Sequence, residues 1–187
     1  MWVRFLAMGV GAACALTGGM TANSSTGPRT GAGVVLGAAT VATGLVAGVF
    51  YIFACAVMPA LRRSGDRVFV EVMRNINDVI QNPVFFLGFL GALVLTAVSA
   101  WQLRHTAAAP WARAGLAAYA LAFLVTVAFN VPLNDALATT GTPAALRDRF
   151  EDPWVAWNTV RALLSTAATA CLTRALLLYG RSHRSPA

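Results

Sequence analysis

The sequence predicts an all-α fold: a four-helix transmembrane bundle, antiparallel, with a short interfacial helix in the loop between spans one and two. Three observations predict it. Hydrophobic residues fill 58% of the 187 positions and charged residues only 11%, against about 25% charged in soluble domains. Four apolar stretches reach the roughly 20 residues that a helix needs to cross a bilayer. The charged residues gather mainly at the ends of those stretches, as in membrane proteins, where they orient the chain and meet lipid headgroups.

The first stretch, residues 33–58, carries no charge and stops at Pro59. Its Gly33/Gly37 and Gly44/Gly48 pairs have the spacing that permits close helix contact. The arginine-rich connection that follows, 59–81, holds an amphipathic pattern with apolar positions at Val68, Val72, Ile76 and Val79, the mark of a helix lying at the interface. Asn82-Pro83 then reads as an N-cap with proline at the first helical position, opening a second span that runs to about residue 103. A third span covers about 111–131. Thr142-Pro143 predicts a short helix, and Asp152-Pro153 repeats the cap-and-proline signature at the head of a fourth span reaching about residue 179.

These spans define one domain, residues 31–180, followed by a basic polar tail at 181–187. Residues 1–30 form an N-terminal extension. Arg4 followed by Phe5 to Leu16 resembles a signal peptide, although Met20-Thr21-Ala22 is a poor cleavage site. A start at Met20 is the favoured reading, because residues 20–30 then form a short polar tail before the first span.

Charge narrows the classes of partner. All 14 basic residues are arginine and the formal net charge is +7, yet they flank apolar segments instead of forming the patch that nucleic acid requires. The partner expected is the lipid bilayer, with no nucleic acid. In the four-span arrangement all seven acidic residues fall on the face that carries loops 59–81 and 134–153. An integral protein of a bacterial plasma membrane with cytoplasmic termini is the expectation. The three cysteines, Cys14, Cys55 and Cys171, lie in apolar segments without metal-like spacing and read as small buried residues.

Polar residues inside apolar segments are costly unless paired, so they mark candidate sites. Trp154, Trp157, Asn158 and Arg161 follow i, i+3, i+4, i+7 spacing and share one helical stripe. An interfacial tryptophan belt explains the tryptophans but not Asn158 and Arg161 lying deeper. Thr126, Asn130 and Asn134 are spaced i, i+4, i+8, with Pro132 among them removing a backbone hydrogen bond; the alternative is that the asparagines only repair a frayed helix end. Asn77 joins this set from the loop before span two, where Arg74 and Asp78 read as a solvated i,i+4 pair. Tyr51 either turns its hydroxyl into the bundle or sits at the interface. No histidine or cysteine accompanies the cluster, so haem, copper and catalytic zinc lack their usual ligands, and no Gly-rich phosphate loop occurs. Neither a metal site nor a cofactor is expected.

In this combination and order the residues resemble the anthrone oxygenase-like integral membrane family. The matching pieces are Phe50-Tyr51 with Met58-Pro59, Met73 with Ile76-Asn77, Asn82-Pro83-Val84-Phe85, Thr126 with Asn130-Val131-Pro132-Leu133-Asn134, and Trp154 with Trp157-Asn158-Thr159-Val160-Arg161. Together they run from about residue 33 to 178. The resemblance implies a four-helix membrane bundle and, in characterised members, oxidation of an anthrone to an anthraquinone by dioxygen without a cofactor. It assigns catalytic roles to Arg161, Asn158, Asn77, Asn130 and Asn134, stabilising developing negative charge as an oxyanion hole does. Trp154, Trp157, Tyr51 and Thr126 would bind a small hydrophobic aromatic substrate. Asp78 and Asp135, or solvent, would take the proton. Two other classes compete: a non-enzymatic membrane subunit or hydrophobic-ligand-binding protein with Arg161 paired to Asp78 or Asp135, and a small transporter, to which one central arginine without intramembrane acids is a poor fit.

Overall fold

A computed structural model describes residues 28–182 and is helical throughout its long elements. Helix α1 (Pro28–Ile52) passes through a π-helical turn (Phe53–Val57) into α2 (Met58–Arg62). Helix α3 (Asp66–Val79) precedes α4 (Pro83–Gln102). Helix α5 (Ala109–Val125) passes through a second π turn (Thr126–Asn130) into α6 (Val131–Leu137), and α7 (Pro143–Arg181) closes the chain. Four helical segments, Gly31–Arg62, Pro83–Gln102, Ala109–Leu137 and Pro143–Arg181, are long and apolar enough to cross a membrane. The chain therefore reads as an integral membrane protein. The extension ahead of residue 28, with Cys14 and the alternative start at Met20, and most of the basic tail lie outside the described residues.

Prolines shape the spans differently from the expectation. Pro59 does not stop the first span, and Pro132 does not end the third. In each case the helix widens one step ahead of the proline: the Met58 amide donates to the Phe53 carbonyl and the Val131 amide to the Thr126 carbonyl, five residues back instead of four. The proline that follows has no N–H to contribute, and the π turn re-registers the ladder around it. Pro153 lies inside α7, so the predicted break at Asp152 is absent and one helix of 39 residues, about 58 Å at 1.5 Å per residue, replaces a short helix and a span. Its true N-cap is Thr142, whose hydroxyl accepts from the Ala145 amide. The cap at Asn82 forms as predicted: its Oδ1 accepts from the Phe85 amide at 2.9 Å.

One end of the bundle packs through small residues. Leu36, Ala39, Ala100, Leu103, Ala108, Ala112, Leu172 and Ala175 form a buried cluster there. A Cβ at Gly115 would lie 3.0 Å from the Leu172 side chain and 3.3 Å from the Ala168 carbonyl, so α5 and α7 approach as closely as glycine allows. The paired glycines of α1 are used singly: Gly33 faces Tyr179 and Gly44 faces Thr169, while Gly37 and Gly48 face open space. Buried hydroxyls such as Thr43, Thr96 and Thr126 donate to the carbonyl four residues back, which keeps them satisfied inside an apolar bundle.

The other end is larger and more aromatic. Met58, Phe69, Val70, Met73, Leu137, Phe150 and Trp154 pack together and seat α3 across the helix ends. Helix α3 turns Phe69, Val70, Met73 and Asn77 inward, while Val68 and Val79, expected on its apolar stripe, are exposed. Its surface thus divides into a protein-facing third, a charged third and an exposed apolar third beside the inward one. Ion pairs pin it: Arg147 reaches Asp66 at 3.0 Å and Glu151 at 2.6 Å, and Arg62 reaches Glu151 at 2.6 Å and Asp152 at 3.0 Å.

Candidate functional site

Arg161 lies on α7 one face away from lipid, 6% exposed. Its Nη2 donates to Asn158 Oδ1 at 2.9 Å, and Asn158 in turn donates to the Phe50 carbonyl at 3.0 Å. The guanidinium carbon stands 4.3 Å from the centre of the Phe50 ring and 5.4 Å from that of Trp154, a position in which ring quadrupoles attract a cation. Nε has no hydrogen-bond partner. The cation also lacks a carboxylate, because every salt bridge among the described residues lies in the Arg62, Asp66, Arg147, Glu151 and Asp152 group. A buried cation held by rings and one amide, with a donor unused, is arranged to receive an anion or a strongly polarised oxygen.

A cavity of about 40 Å³ opens beside it. Phe50, Phe53, Phe85, Phe89 and Trp154 supply aromatic walls, Val49, Ile76 and Ile80 aliphatic ones, and Asn77, Thr126, Asn134, Asn158 and Arg161 the polar atoms. The rings brace one another: Phe89 stacks on Phe85 and Phe123 at 5.7 and 5.3 Å and meets Tyr119, whose hydroxyl donates to the Phe89 carbonyl at 2.9 Å. Both π turns contribute here, Phe53 from the first and Thr126 from the second. The enclosed volume holds a few water molecules at most. A flat three-ring ligand requires the walls to part.

Most of the predicted residues converge. Arg161, Asn158, Asn77, Asn134, Trp154 and Thr126 all line the cavity. Asn130 is buried just behind it and donates to the Trp154 carbonyl at 3.4 Å, leaving its Oδ1 without a partner. The Trp154 indole N–H donates to Asn134 Oδ1 at 2.8 Å, which ties α6 to α7. Two residues stand apart. Trp157, at the edge of the stripe, stacks on Phe129 with ring centres 3.8 Å apart, and Tyr51 is 62% exposed; neither lines the cavity. The pairing of Arg161 with Asp78 or Asp135 does not occur.

Part of the chain that builds this site matches a known family. Residues 79–171 match the model of a family described as anthrone oxygenase. Over that segment, about half of its length, the chain is similar to anthrone oxygenase. No curated protein and no solved structure matches it. The matched segment carries Phe85, Phe89, Thr126, Asn130, Asn134, Trp154, Asn158 and Arg161, whereas Phe50, Phe53 and Asn77 complete the site from outside that segment. Among the described residues no three His, Cys, Asp or Glu side chains gather where a metal ion would sit.

Apart from Trp154, sequence reasoning gave no role to the aromatic walls. Phe50 and Phe85 entered only as pieces of the family resemblance, Phe53 and Phe89 look like any phenylalanine of an apolar span, and the contribution of Phe50 includes its backbone carbonyl, which no side-chain pattern encodes. Tyr119, fully buried, was equally silent.

Proposed function

We propose that the chain is a cofactor-independent membrane oxygenase acting on anthrone-like aromatic polyketides or a related small hydrophobic aromatic substrate, with dioxygen as the oxidant. The observation that carries this reading is the Arg161 guanidinium, buried without a carboxylate against Phe50 and Trp154 with Nε unpartnered. An anthrone bears an acidic CH2 group conjugated with a carbonyl. Loss of that proton leaves an electron pair delocalised onto oxygen, and the resulting anion reacts with dioxygen directly. The net change converts CH2 and O2 into C=O and H2O.

Within this reading Arg161 faces the developing oxyanion, and Asn158 orients the guanidinium by accepting from Nη2. Donors preorganised at a site of developing charge lower the barrier most where water is excluded. Phe50, Phe53, Phe85, Phe89 and Trp154 would hold the rings, and Asn77 supplies a spare amide N–H. Asn130 and Asn134 act one step back by fixing Trp154. The proposed orientation leaves the termini in the cytoplasm of a bacterial cell and the site near the opposite face.

Oxygen uptake by purified, detergent-solubilised protein given a simple anthrone such as emodin anthrone tests the reading, with spontaneous oxidation subtracted. Wild type should consume oxygen, and Arg161→Ala should lose at least about a hundredfold in kcat. A folded Arg161→Ala variant with wild-type uptake would sink the assignment. The small volume of the cavity favours a second reading, a non-enzymatic membrane subunit or hydrophobic-ligand-binding protein with a structural Asn/Arg/Trp cluster. In that case Arg161→Ala lowers stability and no anthrone is consumed above background.

A further inference from the structure

Seven acidic side chains occur in the chain, and arginines hold Asp66, Glu151 and Asp152. Asp78 and Asp135 have neither an ion pair nor a hydrogen bond to their side chains among the described residues. Both line a second, open cavity of about 480 Å³, a vestibule shared with Arg74 and Gln81. Asn77 and Asn134 line the vestibule and the Arg161 cavity alike. They are the wall between the two spaces.

The arrangement repeats on both sides of that wall. Each amide is followed directly by a carboxylate, Asn77-Asp78 on α3 and Asn134-Asp135 on α6. Neighbours on a helix are turned by about 100°, so each amide can face the inner cavity while its carboxylate faces outward. Arg74 forms no ion pair with either; its Nε and Nη2 donate instead to the Leu137 and Thr139 carbonyls at 2.9 and 2.8 Å. Asn77 is only 9% exposed, and its Nδ2 has no partner; Gln81 Oε1 beside it is unpartnered as well. The wall therefore carries an unused donor and an unused acceptor.

The inner cavity itself is lined by no carboxylate or imidazole that could accept a proton. Its polar side chains are amides, a guanidinium and the Thr126 hydroxyl. A substrate that becomes an anion beside Arg161 must send its proton elsewhere, and the unpaired carboxylates across the wall are the groups able to take it. We propose that Asp78 and Asp135 accept the proton that a substrate in the Arg161 cavity gives up, across the wall formed by Asn77 and Asn134. This rests on the oxygenase reading. In the step the substrate C–H bond breaks and its electron pair stays on the substrate, delocalised onto the oxygen facing Arg161. An O–H bond forms on a carboxylate, by way of water where the vestibule is wet, and the proton then passes to bulk solvent.

Methylene hydrogen exchange tests deprotonation separately from oxidation. An anthrone is incubated without oxygen in D2O with the full-length protein, and deuterium incorporation is followed by mass spectrometry beside aerobic oxygen uptake. Wild type should accelerate both. The Asp78→Asn/Asp135→Asn double variant should lose roughly a hundredfold in exchange and in kcat, with KM little changed. The glutamate pair, Asp78→Glu/Asp135→Glu, should restore most of it, and Asp148→Asn should change nothing. Exchange unchanged in the double variant overturns the inference and leaves the oxygenase reading intact. Exchange without oxygen uptake overturns the oxygenase reading and keeps the proton route. Neither activity in wild type overturns both.

Discussion

The two ends of the bundle solve the problem of burying helices in opposite ways. At one, alanine, leucine and glycine close α1, α4, α5 and α7 onto each other until Gly115 meets Leu172 and Ala168. At the other, aromatic rings and asparagines line a cavity, both π turns occur, and four of the six unpartnered buried polar atoms among the described residues collect: Asn77 Nδ2, Gln81 Oε1, Asn130 Oδ1 and Arg161 Nε. A protein core normally leaves few such atoms. Their concentration at one end teaches that the tight end supplies the packing against which a polar, incompletely bonded end is held.

The largest effect expected in the tight end is from Gly115→Val. Alanine there gains helix propensity that offsets its contact, whereas valine forces Leu172 and the Ala168 backbone to yield, at a cost of about 1–3 kcal/mol. Thermal unfolding in detergent should register the loss while kcat per folded molecule holds; a fall in kcat without a fall in Tm would show that the ends are not separable. In the open end, Trp154→Phe keeps an aromatic ring but removes the indole's second ring and its N–H to Asn134, the lost hydrogen bond alone costing about 1 kcal/mol. KM for an anthrone should change more than Tm does, since the bond spans two helices of the cavity wall. Smallest is Pro132→Ala, which returns an N–H to the ladder and should stabilise by up to about 1 kcal/mol while slowing turnover by stiffening the second π turn. Greater turnover in that variant would contradict a role for the π turn in holding the site open.

The same contrast explains what could be read in the sequence. Length and hydropathy suffice for the four spans, and Asn82-Pro83 marks its helix start because a cap acts locally. Thr126, Asn134, Asn158 and Arg161 were legible since a polar residue at helical spacing inside an apolar run has few reasons to be there. Pro59 and Pro132 misled, because the usual penalty for an interior proline presumes an α ladder with no freedom to widen, and Pro153 misled because the α-helix runs through it unbroken. Trp157 followed the stripe but stood about 60° from Trp154, far enough to meet Phe129 instead of Arg161. The Arg62, Arg147 and Glu151 cluster joins residues more than eighty positions apart, a pairing that spacing cannot announce.

Helix α3 carries Asn77 and Ile76 into the cavity on one side and presents Val68 and Val79 outward on another. If α3 lies at the bilayer surface as its sequence pattern predicts, those valines meet lipid and one wall of the site is a single helix away from it. Membrane thickness and lateral pressure then become variables of ligand admission, and rates measured in micelles and in bilayers of different chain length should not coincide.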